Sequence, residues 1–101
     1  MDAGIATLEH PSWCSPKHCT AERGKVHRSR PARVRSACTD LMVITQLFQD
    51  RDSDTPLIDV TIRFPDYGPD HPREDYSFCF DDELAQAAGR MLVTTGRQAT
   101  R

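Results

Sequence analysis

Cysteine and histidine, the two residue types best suited to grip a soft or borderline metal ion, crowd into one short stretch. It reads His10-Pro11-Ser12-Trp13-Cys14-Ser15-Pro16-Lys17-His18-Cys19, with His27 further on. Zinc favours four thiolate or imidazole ligands in a tetrahedron, commonly supplied by tight turns. His10 and Cys14 lie four apart, Cys14 and Cys19 five apart, and His27 returns eight residues later. A Cys2His2 set of His10, Cys14, Cys19 and His27 is therefore sterically reasonable. His18 is a rival to Cys19, because adjacent residues seldom ligate one ion from the same turn. Pro11 and Pro16 limit the freedom of the unbound loop and so lower the entropy cost of closing it, and Trp13 could shield an ion from water. The spacing is not one of the widespread finger patterns.

Energetics point the same way without reference to spacing. Between Met1 and Pro31 the large hydrophobes are Ile5, Leu8, Trp13 and Val26. Burying each contributes about 1.5–3 kcal/mol, whereas structural zinc supplies on the order of 10 kcal/mol of apparent binding free energy at neutral pH. A segment so poor in apolar surface is either disordered or held by something other than burial. Zinc is the expected cofactor, and its role is structural.

Other chemistry is thinner. Cys14 and Cys19 could form a thiol redox switch, with Lys17 and His18 lowering a thiol pKa. Asp50, Asp52 and Asp54 imitate the start of a calcium loop, but Thr55 stands where glycine is needed and Thr61 where a bidentate Glu is needed, which excludes an EF-hand. Asp66, Asp70, His71, Glu74 and Asp75 form an acidic loop with one imidazole, and nothing in the pattern supplies the cleft that acid–base catalysis requires. No phosphate-cradling glycine loop, nucleophile elbow or HExxH motif occurs, so no enzyme is expected.

Net charge is −2, unevenly spread: residues 1–39 carry seven Lys/Arg against three acids, and residues 40–101 carry six against twelve. Arg23, Lys25, Arg28, Arg30, Arg33 and Arg35 form an acid-free run that could contact nucleic acid. A solvated loop and strand edge is the commoner meaning of such a run. The chain is also acidic overall and lacks a recognisable reading helix, so the expected macromolecular partner is protein rather than nucleic acid. No membrane and no small-molecule substrate is indicated. The N-terminus lacks the basic and apolar regions of a secretory signal, so a reducing, cytoplasmic setting is expected, where clustered Cys and His bind metal more often than they pair; in an exported protein a Cys14–Cys19 disulfide would be the competing reading.

The 101 residues fit one domain. Residues 1–9 read as a flexible tail and 10–31 as the zinc-held loop, punctuated by Pro11, Pro16, Gly24 and Pro31. Strands follow across 32–80. Residues 33–39 give a first strand, and 41–49, apolar on both faces, a central one. Residues 57–64 give the clearest, with Ile58, Val60, Ile62 and Phe64 alternating against wetter positions. After the proline-rich loop 65–75, Tyr76, Phe78 and Phe80 alternate in a last strand. Cys38 and Cys79 fall among apolar residues and read as buried, inert thiols. Residues 81–97 predict a helix, with Asp81 or Asp82 as N-cap and Glu83 in its first turn. Its stripe of Leu84, Ala88, Met91, Leu92 and Thr95 should pack on Ile58, Val60, Ile62 and Phe64, and Gly96 should end it in the left-handed conformation.

The motif resembles that of a family of small uncharacterised actinobacterial proteins beginning with a Cys-Pro-x-Trp-Cys-x-x-x-His-like pattern, a domain of unknown function. Pro11, Trp13, Cys14, His18 and His27 match in kind, His10 stands where many members have Cys, and Cys19 departs from the pattern. The third ligand thus stays open between His18 and Cys19. The resemblance implies metal binding and a few strands followed by an Ala-rich helix. The expected fold is α+β: a small antiparallel sheet of three or four strands, one C-terminal helix, and an N-terminal zinc-held loop.

Overall fold

In the computed structural model of the chain, residues 10–100 are described; the expected tail 1–9 lies outside them. Alternation of β-branched and aromatic residues builds a meander of three antiparallel strands: β3 (Met42–Asp50), β4 (Leu57–Phe64) and β5 (Glu74–Phe80). Leu47 faces Ile58, Thr45 faces Val60, and Val60 in turn faces Phe78. Because side chains alternate across a strand, Val43, Thr45, Leu47, Ile58, Val60, Ile62, Phe64, Tyr76, Phe78 and Phe80 share one face. Phe64 and Tyr76 meet edge to face there, ring centres 5.5 Å apart. On the opposite face Arg63 makes a two-pronged ion pair with Asp75, both contacts 3.0 Å, and the hydroxyls of Thr61 and Ser77 meet at 2.8 Å.

Two short strands, β1 (Val26–Arg28) and β2 (Ala32–Arg35), share the free edge of β3, both antiparallel to it. Arg28 faces Phe48 and Ala32 faces Thr45, so Ser29, Arg30 and Pro31 stand opposite Gln46 and Leu47. The extra residue makes this a β-bulge, and Pro31, which has no N–H to donate, sits where the ladder is already broken. Ser29 repairs the gap. Its N–H donates to Leu47 O (2.9 Å), its Oγ accepts the Leu47 N–H (2.9 Å), and its carbonyl accepts from Gln46 Nε2 (2.8 Å). The sheet therefore has five strands, one more than expected, the addition being β1 inside the segment read as loop.

The strand expected over 33–39 stops at Arg35. Ser36 Oγ accepts the N–H groups of both Cys38 and Thr39 at 3.2 Å, and Asp40 takes a positive φ of 58°. Such local side-chain bonds compete with a sheet ladder and favour a turn. Cys38 consequently lies exposed in the turn, and Cys79 is exposed on edge strand β5 opposite Asp59; the burial expected of both thiols is not found.

Helix α1 (Asp82–Ala99) starts where expected, Asp81 Oδ1 accepting the Leu84 N–H at 2.7 Å. It does not end at Gly96. Arg97, Gln98 and Ala99 are good helix formers whose propensities outweigh one glycine, and the chain leaves the helix at Thr100, whose N–H and hydroxyl both donate to Arg97 O. Nor does its stripe pack on the sheet: Met91 is 65% and Leu92 71% exposed. One residue, Asp81, separates β5 from α1, too little chain to turn the helix back across its own sheet. Among the described residues only Ala21, His27 and Ser29 are buried. All three belong to the N-terminal segment and its junction with β3.

Candidate metal centre

Backbone hydrogen bonds knot residues 10–28 onto β1. A turn closes from Cys14 N–H to Pro11 O (3.0 Å), and a second runs from Cys19 N–H back to Ser15 O (2.8 Å). Ser15 N–H donates to Arg28 O at 2.9 Å and Thr20 N–H to Val26 O at 2.9 Å, so the two turns are lashed to opposite ends of β1. Thr20 Oγ1 adds a bond to Val26 O (3.1 Å). The return loop passes through Lys25 at φ 64°, whose carbonyl accepts from Arg51 N–H at 2.7 Å. Gly24 fits against Thr20 so closely that an added Cβ would lie 3.1 Å from its Oγ1.

These turns bring His10, Cys14, Cys19 and His27 together. Their donor atoms all lie within 4.8 Å of one another, and the four could hold a metal ion. Both histidines present Nδ1. Cys14 Sγ lies 3.4 Å from His10 Nδ1 and 3.7 Å from His27 Nδ1; Cys19 Sγ lies 3.6 and 3.7 Å from the same atoms. The imidazole rings stand nearly perpendicular, 83° apart, each aiming one nitrogen at the common centre. His18 is outside the group. Its Nδ1 bonds Ser15 Oγ at 3.0 Å; of the two adjacent residues, Cys19 lies with the other three and His18 does not.

The surroundings suit ligand chemistry. His27, 4% exposed, is held below its ordinary pKa first by burial and then by the nearby His10 and Arg51. A neutral imidazole is the form that binds metal. Burial pushes the Cys14 thiol up, and the hydrogen bond and charge of Cys19 add to this, while the Arg28 backbone N–H pulls it down. A cation at the centre would reverse that balance, since a coordinating thiol is deprotonated outright. Ala21 N–H donates to Cys19 Sγ at 3.4 Å, and such outer donors stabilise sulfur as thiolate and fix its orientation. Ala21 and Arg28 act here through their backbones, so no side-chain pattern could have marked them. Ser29 is a third contributor that sequence reasoning did not identify.

The basic run does not form one surface. Arg23 and Lys25 lie exposed on the return loop, Arg30 sits in the bulge, and Arg28, Arg33 and Arg35 alternate onto the face of the sheet that carries Arg63. Cys14 and Cys19 are free thiols. In the acidic loop Asp66 Oδ1 accepts the Gly68 N–H (2.8 Å), Glu74 accepts the Tyr76 hydroxyl, and Asp75 pairs with Arg63; these three carboxylates hold backbone or neighbour. No helix among the described residues is long and apolar enough to cross a membrane. No protein-family profile, no curated protein and no solved structure matches the chain.

Proposed function

We propose that the chain is a zinc-stabilised interaction module in which His10, Cys14, Cys19 and His27 bind one structural Zn2+. One observation carries the reading. A tetrahedral centre with Zn–S of about 2.3 Å and Zn–N of about 2.0–2.1 Å separates each sulfur from each nitrogen by about 3.6 Å. The four sulfur–nitrogen distances here run from 3.4 to 3.7 Å. Four protein ligands fill the tetrahedron and leave no open position for a substrate or an activated water, the arrangement of structural rather than catalytic zinc. The role is therefore scaffolding: the ion fixes β1 and the bulge onto β3, and the rest of the sheet is presented to a protein partner.

Metal content of chain purified without added zinc tests this. One zinc per chain is expected, lost in Cys14→Ser together with a lowered melting temperature. Metal-free protein with an unchanged melting curve in Cys14→Ser would overturn it. The same samples discriminate the redox switch: zinc-bound thiolates react slowly with mild peroxide and release the ion, whereas a redox pair forms a disulfide without metal.

A second reading, nucleic-acid binding, is favoured by one local feature. Lys17, His18, Arg30 and Arg33 line a single open cavity with Ser15 and Pro31, and no acid intrudes. Phosphate contacts would make affinity fall steeply with salt. Binding to duplex or single-stranded DNA that is absent or indifferent to salt would remove this reading.

A further inference from the structure

The sheet and the helix each present an apolar surface that their own chain leaves uncovered. On the sheet, Val34 is 70% and Phe78 52% exposed, with Val43, Phe64 and Tyr76 beside them; on α1, Leu84, Met91 and Leu92 are at least half exposed. The accessible surface totals 8003 Å². A compact monomer of 11.4 kDa exposes about 5,800 Å². Deducting the entire unfolded-chain area of residues 1–9, about 1,400 Å², still leaves about 1,200 Å² more than a compact chain of the remaining size. A standard protein interface buries about 800 Å² per partner, and obligate homodimers bury more. The excess is that of half a dimer.

We propose that the occupant of both surfaces is a second copy of this chain, each copy laying its α1 across the apolar sheet face of the other. The dimensions agree. Eighteen residues of helix span about 27 Å, and strands of seven to nine residues span about 23–31 Å. Stacking sheet on sheet would leave two helices bare, and pairing helix on helix would leave two sheets bare. Reciprocal helix-on-sheet packing covers all four surfaces in one closed two-fold contact. The single residue between β5 and α1 explains why the exchange runs between copies rather than within one: Asp81 caps the helix in extended conformation and directs it off the end of the sheet. The Cys/His cluster lies at the β1 end of this sheet face, where His27 stands opposite Gln49, and the proposed contact is made further along, at Val43, Val60, Tyr76 and Phe78.

Light scattering coupled to size-exclusion chromatography on the full-length chain, at tens of micromolar, should return twice the chain mass. Leu92→Glu on the helix and Phe78→Lys on the sheet should each give monomer, with metal content unchanged. Mixing the two variants should restore a dimer, because one helix–sheet contact in the mixed pair is wild type and the other opposes Glu to Lys. A wild-type monomer overturns the proposal, as does a dimer indifferent to both substitutions or a mixture that stays monomeric. Should either variant fail to fold, the wild-type protein still decides. In a dimer of one 13C-labelled and one unlabelled chain, isotope-filtered contacts between the methyls of Met91 or Leu92 and the rings of Tyr76 or Phe78 are expected, and their absence from a well-resolved spectrum refutes the exchange.

Discussion

Residues 10–31 and residues 32–99 invert the usual relation between composition and packing. The first region is nearly devoid of large hydrophobes yet contains all three buried residues among those described, Ala21, His27 and Ser29. The second carries Val43, Ile44, Leu47, Phe48, Ile58, Val60, Ile62 and Phe64, yet none of its described residues is buried. In the first region backbone hydrogen bonds fold a polar segment against β1 and bring four Cys and His donor atoms together. Apolar residues become a core only when a second layer covers them, and here one chain provides the sheet and the helix without stacking one on the other. On the two proposals made above, the regions rely on different partners: an ion for the first, another polypeptide surface for the second.

The largest way to break this contrast is to remove the ion. Chelation, or His27→Ala, should cost a large part of the roughly 10 kcal/mol that structural zinc supplies. Amide protection should be lost across residues 14–29, while the β4–β5 ladder exchanges as before; uniform loss across both regions would show that they are one cooperative unit. His18→Ala sharpens the result, since a side chain bonded to Ser15 rather than facing the cluster should leave metal content intact. Acid acts in the same direction as chelation. Thiolate and neutral imidazole are the binding forms, so loading should be complete near neutral pH and fall as protons compete for the four ligands, a loss that metal analysis after dialysis at stepped pH would record.

Smaller effects probe the joint between the regions and then the sheet alone. Ser29→Ala removes the acceptor for Leu47 N–H inside the bulge and should destabilise by about 1–3 kcal/mol, the cost of an unpaired buried donor, measurable by denaturant titration of the metal-loaded protein. Asp81→Ala should cost about 1 kcal/mol through loss of the helix cap, visible as a helical signal that melts earlier. Asp75→Asn should change little. The Arg63 guanidinium, through its hydrogen bonds first, holds the Asp75 carboxyl below its ordinary pKa. The pair's contribution is therefore complete at neutral pH and fades as pH drops below the usual carboxylate range, but both groups face water, where ion pairs are weak.

Much of this was legible in the sequence. A run of apolar, largely β-branched residues placed β3, alternation placed β4 and β5 and set their faces, and the rarity of hydrophobes before Pro31 singled out the Cys/His cluster. What was not legible has physical causes. β1 is three residues long and exists because the β3 edge and the ligand turns hold it, so no local period marks it. The bulge depends on a register offset between two strands, which neither strand's sequence reveals by itself. Cys38 alternates correctly for a strand, but Ser36 captures the next N–H groups and turns the chain before it. Gly96 has the residue type of a helix stop, yet helix formers follow it and Thr100 provides the cap. The apolar stripe does lie on the helix; that it stays exposed instead of packing on its own sheet follows from the single linker residue and not from periodicity.

X-ray absorption at the zinc edge, on chain purified without added metal, tests the ligand cluster most directly. Two sulfurs at about 2.3 Å and two nitrogens at about 2.0–2.1 Å are predicted, with one zinc per chain and both sulfur contacts reduced to one in Cys19→Ser. A protein without zinc, or with a first shell of oxygens and no sulfur, would contradict it.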